Sequence, residues 1–164
     1  REVSLVLENE RRLVPAAAEY LLAQAGDRLP KSDQMGLLLG LVELLNNAIE
    51  HGNLGIGSRA KEDALVEGGE AFEALIDERL SDPVFSERRV TVEFHMDTET
   101  ARWLIRDEGA GFDWEKVTYT FNEDALLRPC GRGVFLSRMQ FDELEYSGCG
   151  NEVCVVKRLN GGSA

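Results

Sequence analysis

Glu43-Leu44-Leu45-Asn46-Asn47-Ala48-Ile49-Glu50-His51-Gly52-Asn53 closes a segment whose apolar residues recur at helical spacing. At 100° per residue, Asn47 lies about 40° from Glu43, and Glu50 about 20° to its other side. Leu38, Leu41, Leu45, Ala48 and Ile49 fall on the opposite half. The spacing predicts one long helix from Ser32, a residue suited to an N-cap, to about His51, closed by Gly52 and Asn53. Its Leu-rich side packs on a sheet, and Glu43, Asn47 and Glu50 form one polar row. Such a row is also what the solvated face of any amphipathic helix presents. Two adjacent asparagines inside a helix point elsewhere, because Asn is a poor helix former. A carboxylate followed one turn later by a neutral oxygen ligand pairs a potential base with a group suited to Mg²⁺ beside a polyphosphate. His51 has a simpler reading, as a helix C-terminal residue favoured by the dipole.

Upstream, Val3, Leu5 and Leu7 alternate with more polar neighbours and read as a strand. Pro15 opens a helix over Ala16–Ala25 that Gly26 ends. Downstream, Gly55 to about Arg88 is charged and interrupted by Gly57, Gly68 and Gly69. It reads as a helical insertion, with a helix around Ala71–Leu80 burying Leu75, Ile76 and Leu80. Arg89–Met96 and Ala101–Arg106 alternate as strands, joined by a turn at Thr98-Glu99-Thr100. A helix over Val134–Met139 precedes strands at Glu143–Tyr146 and Glu152–Lys157, with Gly148–Gly150 as their turn. The order predicts an α+β domain, a two-layer sandwich of a mostly antiparallel, mixed sheet with helices on one face. Residues 1–164 read as a single domain with its insertion at about 55–88.

Two glycine-rich stretches flank the centre of the second half. Asp107-Glu108-Gly109-Ala110-Gly111-Phe112-Asp113 follows a strand directly. Alternate glycines let the backbone turn sharply and approach a planar ligand, and a carboxylate at a strand end can accept from an exocyclic amine such as that of adenine. The same composition is common in plain hairpins. Gly131-Arg132-Gly133 opens a helix, where exposed N–H groups and the dipole favour an anion, and Arg128 and Arg132 add positive charge. An ordinary helix entry has the same look, and the stretch lacks the lysine-bearing P-loop pattern.

Eighteen basic residues against thirty acidic ones give a net charge of −12 over 164 residues. That balance repels phosphate backbones and argues against a nucleic-acid partner. A triphosphate bound here needs local neutralisation by Mg²⁺, backbone N–H groups and a few basic side chains. No apolar run is long enough to span a bilayer. Cys130, Cys149 and Cys154 form no C-x-x-C pair and read as small buried or half-buried hydrophobes, which fits a reducing cytoplasm. The chain starts at Arg1 without Met and without the look of a signal peptide, as expected for a domain trimmed from a longer protein.

The order of these features carries more than any one of them. A helix with Glu-x-x-x-Asn, a strand ending in Asp-x-Gly-x-Gly, an irregular stretch and a Gly-x-Gly helix entry resemble the N, G1 and G2 boxes of the GHKL ATPase superfamily. That superfamily includes gyrase, histidine kinases and mismatch-repair ATPases. The resemblance runs from about Val3 to Arg158, apart from the insertion. The N box Glu43–Asn53, the G1 stretch Asp107–Asp113 and the ending Gly131-Arg132-Gly133-Val134-Phe135-Leu136 … Gly150-Asn151-Glu152-Val153 look most like anti-sigma factor serine/threonine kinases of bacterial partner-switching systems.

The resemblance implies a Bergerat-type fold binding ATP and Mg²⁺. Glu43 would be the general base and Asn47 the Mg²⁺ ligand. Asp107 would read the adenine amine, with Gly109, Gly111 and Phe112 shaping the pocket. The stretch Asp113–Cys130 would be a lid. Gly131 and Gly133 would cradle phosphate, with Arg128 or Arg132 at the γ-phosphate. The implied partners are a small antagonist protein phosphorylated on serine or threonine, and a sigma factor; a homodimer is compatible with it. The long insertion departs from the compact members of that group, and the lid offers few basic residues. A non-catalytic ATP-binding module of a larger signalling protein and a plain ATPase are the alternatives.

Overall fold

A computed structural model of the chain describes residues 1–114 and 137–160. Arg128, Cys130, Gly131, Arg132, Gly133 and almost all of the expected lid lie outside the described residues.

The fold is built on five strands: β1 (Glu2–Leu7), β2 (Val90–Met96), β3 (Thr100–Arg106), β4 (Glu143–Ser147) and β5 (Glu152–Arg158). Their order in the sheet is β1-β2-β3-β5-β4. All four pairings are antiparallel, so the mixed character expected from sequence is absent from these strands. Period-two alternation puts one apolar set on one face. In register, Val3, Phe94, Trp103, Val155 and Leu144 form a row across all five strands. Leu5, Val92, Ile105, Val153 and Tyr146 form the next row. The opposite face carries Ser4, Glu93, Leu104, Cys154 and Glu145 in register. Trp103 is the centre of the core, with its ring 5.3 Å from Phe94 and 5.9 Å from Phe141. Its indole N–H donates to the Leu21 carbonyl at 3.4 Å, so the ring is buried without an orphaned donor.

Helices α1 (Val14–Ala23) and α2 (Gln34–Asn47) pack on each other. They bury Val14, Ala17, Ala18, Leu21, Leu37, Leu41, Leu44 and Leu45 in the same core as the inner sheet face. Pro15 sits in the first turn of α1, where a missing N–H costs nothing. The residue before α2 is Asp33, which makes no side-chain cap; the expected cap, Ser32, donates its hydroxyl to the Asp33 carboxylate.

The α-helix also ends earlier than the spacing predicted. After Asn47 the chain widens into a π-helical turn over Ala48–Asn53, closed by Leu54 N–H donating to the Ile49 carbonyl at 2.8 Å. The cause is tertiary. Glu50 and Asn53 are both buried and drawn to partners outside the helix, and π-turns accommodate such pulls where an α-helix cannot.

The insertion holds α3 (Ser58–Glu67), α4 (Gly69–Leu80) and the short α5 (Pro83–Ser86). In α4 the fully buried residues are Phe72 and Ile76, while Leu75 and Leu80 are half-buried. The stripe therefore lies on the expected face, centred on Ile76 and extended by Phe72. Residues 137–140 are helical, within the expected Val134–Met139 region and one residue past it. Among the described residues no helix is long and apolar enough to cross a membrane.

Candidate functional site

β3 delivers Asp107 to the sheet end, and the β4–β5 turn fixes it there. Asp107 N–H donates to the Asn151 carbonyl at 2.9 Å, and Asn151 Nδ2 donates back to the Asp107 carbonyl at 3.1 Å. The side chain then turns toward the end of α2. It lies so close to Gly52 that a Cβ at position 52 would stand 2.3 Å from Asp107 Cγ. The side chain is buried, and burial pushes its carboxyl up to about 6, against the pull of the Gly109 N–H bond and of Arg88. Gly109 N–H donates to Asp107 Oδ1 at 2.8 Å.

The loop that follows has no room for a side chain at either of its glycines. A Cβ on Gly109 would be 2.3 Å from the Gly52 carbonyl oxygen. Gly111 has φ +78°, and a Cβ there would be 2.0 Å from the Cys149 carbonyl oxygen. Phe112 N–H donates to that same carbonyl at 2.9 Å. The Phe112 ring meets Tyr146 edge-on at 5.0 Å while staying 40% exposed. The result is an anchored carboxylate at a backbone cradle, with an exposed aromatic ring beside it. A planar heterocycle bearing an amine fits that chemistry.

The helix row divides. Glu43 is exposed and Asn47 half-buried, one turn apart on α2. Glu50 does not join them. It is buried, with Oε1 3.2 Å from Arg11 and Oε2 2.6 Å from Lys61. Arg11 also pairs with Glu73, and both cations sit 5.3 Å from the Phe72 ring centroid. The π-turn no longer follows the 100° step that placed Glu50 beside Glu43. Glu50 is thus the anchor of the insertion. His51 Nδ1 lies 2.5 Å from the Ile56 carbonyl, which makes it part of the helix ending.

Three asparagines brace the site although none of them was assigned a role in it from sequence. Asn151 clamps Asp107. Asn53 and Asn9, with 0% and 5% exposure, link the end of α2 to the Asp107 loop. A polar residue directly after a helix-ending Gly was the available cue for Asn53; Asn9 offers none. Among the described residues, no group of three or more His, Cys, Asp and Glu side chains is placed to hold a metal. Mg²⁺ beside a polyphosphate needs few protein ligands, because phosphates and water fill its shell, so a single donor such as Asn47 fits.

No curated protein sequence matches the chain. Among solved structures it is similar to a mycobacterial sensor histidine kinase, MprB, at 14% identity and a TM-score of 0.49, over 97% of this chain and 99% of that one. The histidine kinase-like ATPase domain profile matches residues 6–157, spanning β1 to β5 and including Glu43, Asn47, Asp107 and the insertion. By that match, the chain belongs to the histidine kinase-like ATPase domain family.

Proposed function

We propose that the chain binds Mg²⁺-ATP between α2 and the Asp107 loop and transfers the γ-phosphate to a serine or threonine of a small antagonist protein, as anti-sigma factor kinases do. The observation that carries this reading is the contact of Asp107 with Gly52. It joins the end of the Glu43–Asn53 segment to the loop that reads the base, so one ligand can span both.

In this reading Asp107 accepts from the adenine amine, and Phe112 covers the ring. Asn47 would hold Mg²⁺, which supplies neutralisation of phosphate charge. Gly131 and Gly133, with Arg128 or Arg132, would cradle the phosphates. Glu43 takes the proton of the acceptor hydroxyl as its oxygen bonds to the γ-phosphorus, the bond to the bridging oxygen breaks, and ADP leaves. The exposure of Glu43 suits this role, since a protein substrate must reach it. Labelled ATP incubated with the chain and its antagonist protein tests the proposal. Phosphoserine or phosphothreonine on the antagonist is the expected product. ATP binding with no transfer would sink the kinase reading, and phosphate release without a protein acceptor would favour a plain ATPase.

A further inference from the structure

A one-way chain of hydrogen bonds runs from the Asp107 loop to the far end of the insertion. Glu108 N–H donates to Asn53 Oδ1 at 2.8 Å. That leaves Asn53 Nδ2 to donate to Asn9 Oδ1, also at 2.8 Å. Asn9 Nδ2 in turn donates to the carbonyls of Arg88 at 2.9 Å and Phe85 at 3.2 Å. A backbone N–H can only donate and a carbonyl can only accept, so both amides have one permitted orientation. Flipping either would set donor against donor at one end and acceptor against acceptor at the other. The Arg88 guanidinium adds a bond to the Asn53 carbonyl at 2.8 Å. Burial of both side chains makes an unmade bond costly, so the chain holds its geometry.

Neither asparagine needs to touch a nucleotide for this to matter. Glu108 follows Asp107 directly, and its N–H is the point at which the end of α2 grips the loop. Asn151 fixes Asp107 along the strand, whereas Asn53 fixes the loop against the Gly52 wall that the Asp107 carboxyl faces. We propose that Asn53, oriented by Asn9, is a positioning residue that aims Asp107 and thereby sets the preference of the site for a 6-amino purine. The inference rests on the ATP-site reading above.

ATP and ITP separate the roles. ITP carries a carbonyl where ATP carries the amine, so the Asp107 carboxylate meets an acceptor where ATP offers it a donor. Binding of each, with Mg²⁺, is measured by calorimetry for wild type, Asn53→Ala, Asn9→Ala and Asp107→Asn, with the fold of each checked by circular dichroism. Wild type prefers ATP by roughly tenfold or more, the worth of a charge-assisted hydrogen bond. Asn53→Ala loses most of that preference through weaker ATP binding, with ITP affinity unchanged within about twofold. Asn9→Ala loses part of it in the same way, and Asp107→Asn abolishes it. A folded Asn53→Ala that keeps the wild-type preference, or that loses both nucleotides alike, overturns the proposal. Where Asn53→Ala fails to fold, an Asn9→Ala protein with the full preference does the same. Wild type that binds neither nucleotide refutes the ATP site itself, and wild type that binds both equally refutes base reading by Asp107; each takes this proposal with it.

Discussion

Asp107 and Gly52 are in contact at a distance that leaves no room for a methyl group: a Cβ on Gly52 would lie 2.3 Å from Cγ and 2.5 Å from Oδ1 of the aspartate. Gly52→Ala must therefore displace the carboxylate or the end of α2. We expect ATP affinity to fall by roughly tenfold or more and stability by about 1–3 kcal/mol, the usual cost of overpacking. Calorimetry and urea unfolding measure the two. Wild-type ATP affinity in a folded Gly52→Ala protein would contradict the contact.

Burial makes the ionised form of Asp107 costly to the fold. Its carboxyl is raised from 3.8 to about 6 by burial, so the folded state favours the protonated form. Its stabilising share is complete below about pH 4 and is lost as pH rises through about 6. Asp107→Asn should therefore stabilise the nucleotide-free protein near neutral pH by about 1 kcal/mol, since solvent at the loop screens part of the cost of ionisation. The gain should vanish near pH 4 in urea unfolding. ATP binding should behave oppositely in wild type, weakening as pH falls through about 6, because the amine is held best by the ionised carboxylate. In Asp107→Asn that pH dependence disappears. A destabilised Asp107→Asn at neutral pH would refute the buried-charge account.

Glu50 and Glu43 should separate cleanly despite their shared motif. Glu50→Ala takes the shared carboxylate from Arg11 and Lys61, both partly exposed, and costs about 1–3 kcal/mol. The loss should appear in thermal unfolding, with proteolysis concentrated in the insertion. A Glu50→Ala protein of unchanged stability would show that the anchor is not one.

Glu43→Ala removes an exposed side chain, so stability should stay within about 0.5 kcal/mol of wild type. ATP affinity should hold within about threefold, while phosphoryl transfer to the antagonist protein drops by about 10²–10⁴. Undiminished transfer would remove Glu43 as the base.

Much of the fold was legible because it rests on local pattern. The alternation of Val90, Val92 and Phe94, and of Trp103 and Ile105, named two central strands and their inner face. Pro15 marked the first turn of α1, whereas the helix ends at Ala23, before Gly26. What escaped depended on partners distant in sequence. α3 has no fully buried residue, so periodicity had no stripe to find; Lys61 holds it through a bond to Glu50. The π-turn exists because Asn53 is claimed by Glu108 and Arg88, 55 and 35 residues away. The N and G1 boxes could be recognised as types, but the contact between Gly52 and Asp107 follows only from the packed sheet. The phosphate-end residues Arg128, Gly131, Arg132 and Gly133 are among those the structure does not describe.

The most direct test of the central claim is calorimetric titration of ATP into the chain, with and without Mg²⁺, for wild type and Asn47→Ala. The account predicts saturable binding by wild type that Mg²⁺ strengthens, and loss of that Mg²⁺-dependent gain in Asn47→Ala. A folded wild-type protein that shows no ATP binding under either condition would contradict it.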